Sequence, residues 1–162
     1  MGFETAAKRG VVVHYGPRVT DEKFGAQYGS KDPVRTVEWT FDYDDLPAGA
    51  THNLGYSIPA NARILSAKFE VITAFTSTST TSDLTIGLEQ ANGTDIDVDG
   101  FLTAVNLDQA VIANVGSVTT GTGALVGDTI GAAAGELIVL PSVDDLLTGR
   151  GRVIVEYIVA GA

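Results

Sequence analysis

The segment Arg152 to Val159 alternates without a break, with Val153, Val155, Tyr157 and Val159 on one side and Arg152, Ile154, Glu156 and Ile158 on the other. A helix would scatter these residues around its axis. Only a β-strand, whose side chains repeat every second residue, gathers the first set on one face, and a strand of this kind is predicted to close the domain as a central strand. The same period recurs through most of the chain. Val37, Trp39 and Phe41 share a face opposite Glu38 and Thr40, and a short strand is predicted near Asn53 to Ile58 between the turns Asp44–Gly49 and Pro59–Asn61. From Arg63 to Phe75, Leu65, Ala67, Phe69, Val71, Thr73 and Phe75 are expected on the core face of the longest strand. After the polar loop Thr76–Ser82, Leu84, Ile86 and Leu88 form a returning strand, and the order predicts a hairpin between the two.

Elsewhere the pattern is weaker. Phe101 to Val111 spaces Leu102, Val105 and Leu107 unevenly, which fits a short helix or an irregular crossing. Gly116 to Gly135 is rich in Gly, Ala and Thr, around the apolar run Ala124-Leu125-Val126, and predicts tight turns and close strand approach before a strand from Glu136 to Leu140. With an arm strand at Val11 to Tyr15, the count is about eight strands around one core. That implies an all-β, jelly-roll-like β-sandwich, with residues 1–35 as an extended N-terminal arm and 36–162 as the sandwich domain.

The chain contains no cysteine, which removes disulfides, thiolate metal sites and a cysteine nucleophile together. No stretch reaches the roughly 20 apolar residues of a membrane span, and the first residues lack the apolar run of a secretory signal, so synthesis in the cytoplasm is expected and no membrane partner is. The net charge is −10. Residues 1–35 carry six Lys and Arg against four Asp and Glu, +2, which leaves −12 for the other 127 residues. An acidic body repels phosphate backbones, so no nucleic-acid partner is expected, whereas a basic arm suits an acidic protein surface.

Residues able to do chemistry are sparse. His14 and His52 stand in no recognisable catalytic context, and there is no nucleophile elbow, zinc-binding His-Glu-x-x-His or phosphate-binding glycine loop. No enzyme activity and no cofactor are expected. Asp95-Ile96-Asp97-Val98-Asp99-Gly100 has the alternating carboxylates of a calcium loop, but the twelfth position, where such a loop needs Glu, is Asn106. A solvated turn explains the three aspartates as well, and no metal site is assigned. Asp42, Asp44 and Asp45 beside Trp39, Phe41 and Tyr43 resemble an acid–aromatic sugar groove, although a Trp on the face of Val37 and Phe41 belongs more naturally to a core.

Several segments together resemble tailed-phage decoration, or cement, proteins of jelly-roll type. They are Tyr15-Gly16-Pro17-Arg18 with Lys23-Phe24-Gly25, His52 to Ile64, Phe69 to Phe75, Leu84-Thr85-Ile86-Gly87 and Asp95 to Phe101. The resemblance implies a virion protein on the capsid exterior: a homotrimer at local threefold positions, its arm bridging subunits of the major capsid protein and so stabilising the shell. Arg9, Val11, Val13, Tyr15, Arg18, Lys23 and Phe24 are the expected capsid contacts, because a basic, partly apolar strand can add to a sheet edge. Ile154 and Ile158, opposite the core face of their strand, are expected to need cover from the chain or a neighbouring subunit. The alternative is a carbohydrate-binding jelly-roll module of a phage fibre or tail-associated protein. A cupin-type enzyme is disfavoured, since two histidines do not fill its metal cluster.

Overall fold

The computed structural model describes residues 6–7, 10–11, 34–46, 49–78, 82–106, 114–142 and 146–159. The chain divides into a unit of residues 1–30 and a unit of residues 31–162. In the first, β1 (Ala6–Ala7) pairs antiparallel with β2 (Gly10–Val11), Ala6 opposite Val11. The rest of the predicted arm strand, Val12 to Tyr15, lies outside the described residues.

The second unit is an all-β sandwich. Its strands are β3 (Arg35–Asp42), β4 (His52–Ile58), β5 (Ala62–Ser77), β6 (Asp83–Glu89), β7 (Asp95–Asn106), β8 (Val118–Thr120), β9 (Gly135–Pro141) and β10 (Leu146–Val159), with one 3-10 turn at Tyr43–Asp45. Two four-stranded sheets result, in the orders β3-β10-β5-β8 and β4-β9-β6-β7. The pairing is nested: β3 with β10, β4 with β9, β5 with β8, β6 with β7, all antiparallel. The chain is therefore one long antiparallel hairpin rolled over on itself, which is the jelly roll expected from the sequence. Its tip is Gln90 to Thr94, closed by the Gln90 N–H donating to the Thr94 carbonyl (2.7 Å) and by Gly93 at φ 78°.

Three expectations are corrected. β5 and β6 do not form a hairpin; they lie in different sheets, and β6 pairs with β7 and β9. The signal for the true hairpin was Asn92-Gly93, the dipeptide that most favours tight β-turns. Phe101 to Asn106 is neither helix nor crossing but the second half of β7, and residues 107–111 lie outside the described residues. Its uneven spacing reflects an irregular ladder: Ile86 faces Leu102 while Leu88 faces Asp97, so two steps along β6 meet five along β7. Finally, Leu65 and Thr73 point away from the core. Glu156 faces Ser66 but Tyr157 faces Ile64, making Leu65 an extra residue, 41% exposed; Ile72 is likewise extra, between the Val71 and Thr73 pairings. Each bulge reverses the parity that period two assumes.

The core centre is an aromatic triangle. Phe41, Phe69 and Phe75 hold their ring centroids 6.1–6.2 Å apart, Phe41 and Phe69 nearly parallel. The rings occupy space that β10 leaves open with glycine: a Cβ on Gly151 would lie 2.6 Å from the Phe69 ring, and one on Gly149 would enter the Phe75 ring. Around the triangle pack Trp39, Ile64, Val71, Val153 and Val155 from one sheet and Ile86, Leu88, Phe101, Leu137 and Val139 from the other. Burying each such side chain stabilises the fold by about 1.5–3 kcal/mol. Phe69→Ala should cost about 3–5 kcal/mol through its cavity, and Gly151→Ala about 1–3 kcal/mol through overpacking; urea midpoints at unchanged slope measure both.

Candidate interaction surface

Among the described residues the sandwich offers faces and strand edges. A cavity of about 10 Å³ beside Phe69, Phe101 and Gly121 lies between the sheets, far below the ~300 Å³ at which small-molecule sites begin.

The outer face of the β3-β10-β5-β8 sheet is a polar ladder. Arg152 on β10 reaches Glu70 on β5 (Nε to Oε2 2.9 Å) and Glu38 on β3 (Nη1 to Oε2 3.3 Å), holding three strands together. Its guanidinium pKa is raised further, chiefly by the hydrogen bond to Glu70. Ser66 donates to Glu156 (2.8 Å), and Arg150 lies 3.7 Å from Asp42. Ile154 and Ile158 are half-buried within the single chain, Ile154 standing in register between Glu38 and Lys68.

Three of the four sheet edges are irregular. Along β4, Asn53 faces Ile138 and Ser57 faces Glu136, so the residues between them leave the ladder. Asn53 Oδ1 accepts the Gly55 N–H (2.7 Å), Gly55 adopts φ 73°, and Tyr56 is thrown outward, 61% exposed, its ring 5.9 Å from Trp39. The Asn53 amide also donates to Glu136 (2.6 Å) and Glu89 (2.9 Å), tying β4 across β9 to β6. On β7, the Phe101 and Gly100 carbonyls accept the N–H groups of Gly123 (3.1 Å) and Leu125 (2.9 Å). Beyond the three residues of β8 the chain stays on β5, Gly121 bonding Ala67, Gly127 bonding Ile64 and Ile130 bonding Ala62. Glycine is required here because a Cβ on Gly121 or Gly123 would strike the β7 backbone. The close approach expected for this Gly-rich stretch is thus the seam joining the two sheets on that side.

Of the expected capsid contacts, Val11 lies in β2, and Arg9, Val13, Tyr15, Arg18, Lys23 and Phe24 lie outside the described residues, as does His14. His52 is half-buried at the start of β4. Trp39 is 3% exposed and Phe41 is in the aromatic triangle, so neither ring is a platform for sugar. Asp95, Asp97 and Asp99 sit in the extended strand β7 rather than in a loop wrapped around an ion, and among the described residues no group of three or more carboxylates and histidines is placed to hold a metal. Asp97 accepts the Asp99 N–H (3.4 Å).

No family model and no curated protein matches the chain. Solved structures do. A chain in the capsid asymmetric unit of cyanophage Pam1 superposes with a TM-score of 0.63 at 16% identity, over 91% of this chain and 100% of that one. A chain of the acid-stable capsid of Helicobacter pylori bacteriophage KHP30 gives 0.58 at 16% identity over 79% and 89%, and one from the capsid of Ralstonia phage GP4 gives 0.57 at 19% over 80% and 86%. The fold is one that phage capsids use. The match takes in 86–100% of each of these three chains.

The Asp97 carboxyl lies above its ordinary value of 3.8, first through desolvation and then through a side-chain hydrogen bond with Asp99, while the bond it accepts from the Asp99 backbone N–H acts in the opposite direction. Because folding raises this pKa, the charged form is penalised in the native state, and stability from this group is gained as pH falls and lost as pH rises through the folded value. Asp97→Asn keeps an acceptor for the Asp99 N–H and should raise Tm at pH 7; the difference from the parent should vanish below about pH 3. Thermal melts across pH 3–7 check this, and added chelator should leave both proteins unchanged.

Proposed function

We infer that the protein is a structural component of a phage virion: a decoration protein that binds the exterior of a capsid and stabilises it by bridging subunits of the major capsid protein. The observation that carries this reading is the superposition on capsid chains of three phages over 79–91% of this chain. The surface agrees with it. Binding a shell requires complementary faces and edges, and the described sandwich presents both.

Such a protein acts by mass action. Each copy bound across a subunit boundary stabilises the assembled shell relative to the separated subunits, and many copies per particle sum weak contacts into a large total. The basic residues of the first 35, against an acidic body, suit attachment through the arm: Arg9, Arg18 and Lys23 supply charge, and Val11, Val13, Tyr15 and Phe24 supply apolar contact for strand addition to a capsid sheet. A homotrimer at threefold positions would present three arms at once, which multiplies affinity without new chemistry.

Co-sedimentation with purified expanded shells tests this reading. The full chain should pellet with shells, and Lys8→Glu, Arg9→Glu, Arg18→Glu and Lys23→Glu together should weaken binding by about tenfold or more, ~1.4 kcal/mol, without altering the melt. Absence of co-sedimentation would overturn the function, and unchanged affinity would overturn the arm's part in it.

A further inference from the structure

The fourth sheet edge differs from the other three. β3 pairs residue for residue with β10, from Arg35 opposite Tyr157 to Asp42 opposite Arg150, with no bulge, and among the described residues no strand occupies its other side. A regular open edge presents a row of unpaired N–H and C=O groups and is a template for another strand. Exposed apolar side chains collect around this edge: Val34 just before β3 (57%), Tyr43 just after it (37%), and Tyr56 against Trp39.

Charge along β3 is polarised. Arg35 begins the strand and makes no ion pair among the described residues, whereas Asp42, Asp44 and Asp45 end it. An antiparallel copy of the same strand would set each Arg35 against the other's acidic end. We propose that β3 is a self-complementary contact, through which two copies pair antiparallel about a twofold axis and join two four-stranded sheets into one of eight.

The register follows from parity and charge. Residues directly opposite in a ladder share a face, so the axis passes through a residue position. Centring on Glu38 would place that carboxylate against its own copy, an unfavourable like-charge pair. Centring on Trp39 places Glu38 opposite Thr40, Thr36 opposite Asp42 and Arg35 opposite Tyr43, beside Asp44. Hydroxyls then meet carboxylates, and the axis falls at Trp39, beside which the exposed Tyr56 ring stands at 5.9 Å. This contact concerns copies of the chain alone and does not depend on the proposed target shell; in a trimeric assembly it would link copies of neighbouring trimers.

The full chain has no cysteine, so single cysteines report the register directly. Glu38→Cys and Thr40→Cys proteins mixed under mild oxidation should give a disulfide dimer about tenfold faster than either protein alone, and Thr36→Cys with Asp42→Cys should behave alike. In sedimentation equilibrium Arg35→Glu should weaken self-association about tenfold, and adding Asp44→Arg should restore it; circular dichroism confirms that each variant is folded. A parent that stays monomeric up to about 100 µM, self-linking of Glu38→Cys as fast as the mixture, or an Arg35→Glu protein that associates like the parent would each overturn the proposal. Dimerisation without shell binding would leave it standing while removing the proposed function; shell binding by a strict monomer would do the reverse.

Discussion

The nested antiparallel pairing is the constraint on which the rest depends. Once Gln90 to Thr94 turns the chain, β7 must return along β6, β8 along β5, β9 along β4 and β10 along β3. Rolling this ribbon creates two further contacts, β10 beside β5 and β9 beside β6, and these set the sheets face to face. The outermost pair joins Arg35 with Tyr157, so much of the fold rests on partners distant in sequence. Such topologies gain little until long loops have closed, which makes them slow to form. A turn as strongly specified as Asn92-Gly93 offsets part of that difficulty by fixing the register of the innermost pair.

Packing then decides where the ladders must be imperfect. Three phenylalanines meet where β3, β5 and β10 lie side by side, and β10 makes room with Gly149 and Gly151. The three register shifts between Leu146 and Gly151 in the β10–β5 ladder fall at this same place. A regular strand with side chains at both positions would push the rings apart, so local irregularity and dense aromatic packing are two aspects of one arrangement. On the opposite side the chain after β8 repeats the device: Gly121 and Gly123 bring backbone against backbone, and the bonds to Phe101 and Gly100 close the sandwich there.

The sequence was legible wherever period two ran unbroken. Val37, Trp39 and Phe41, Leu84, Ile86 and Leu88, and Val153, Val155 and Tyr157 were placed on the correct faces because nothing interrupts their alternation. Leu65, Thr73 and the second half of β7 were not, since a bulge depends on what the partner strand must accommodate and leaves no periodic trace. Pairing was harder still. Sequence neighbours β5 and β6 look like a hairpin, yet a strand carries no label for its sheet, and only the Asn-Gly turn marked which neighbours truly pair. The Tyr56–Trp39 contact had no signal in spacing, because it joins edges of different sheets. His52 begins β4, Asp95 to Asp99 lie in β7 and Trp39 is buried in the core, while His14 lies outside the described residues.

The treatment of the edges bears on how such a protein works. Each open strand edge of a β-sandwich invites pairing with any extended chain it meets. β4 is broken by the Gly55 excursion, β7 lends carbonyls to Gly123 and Leu125, and β8 is only three residues long. These features suppress unspecific pairing without adding charge. Among the described residues, the straight run of β3, flanked by Val34 and Tyr43 and ending in carboxylates, contrasts with these irregular edges. A negative body also repels its own copies at long range, so two molecules would associate only where local charges are arranged to oppose that field. In the proposed pairing the opposed ends of β3 would meet this requirement.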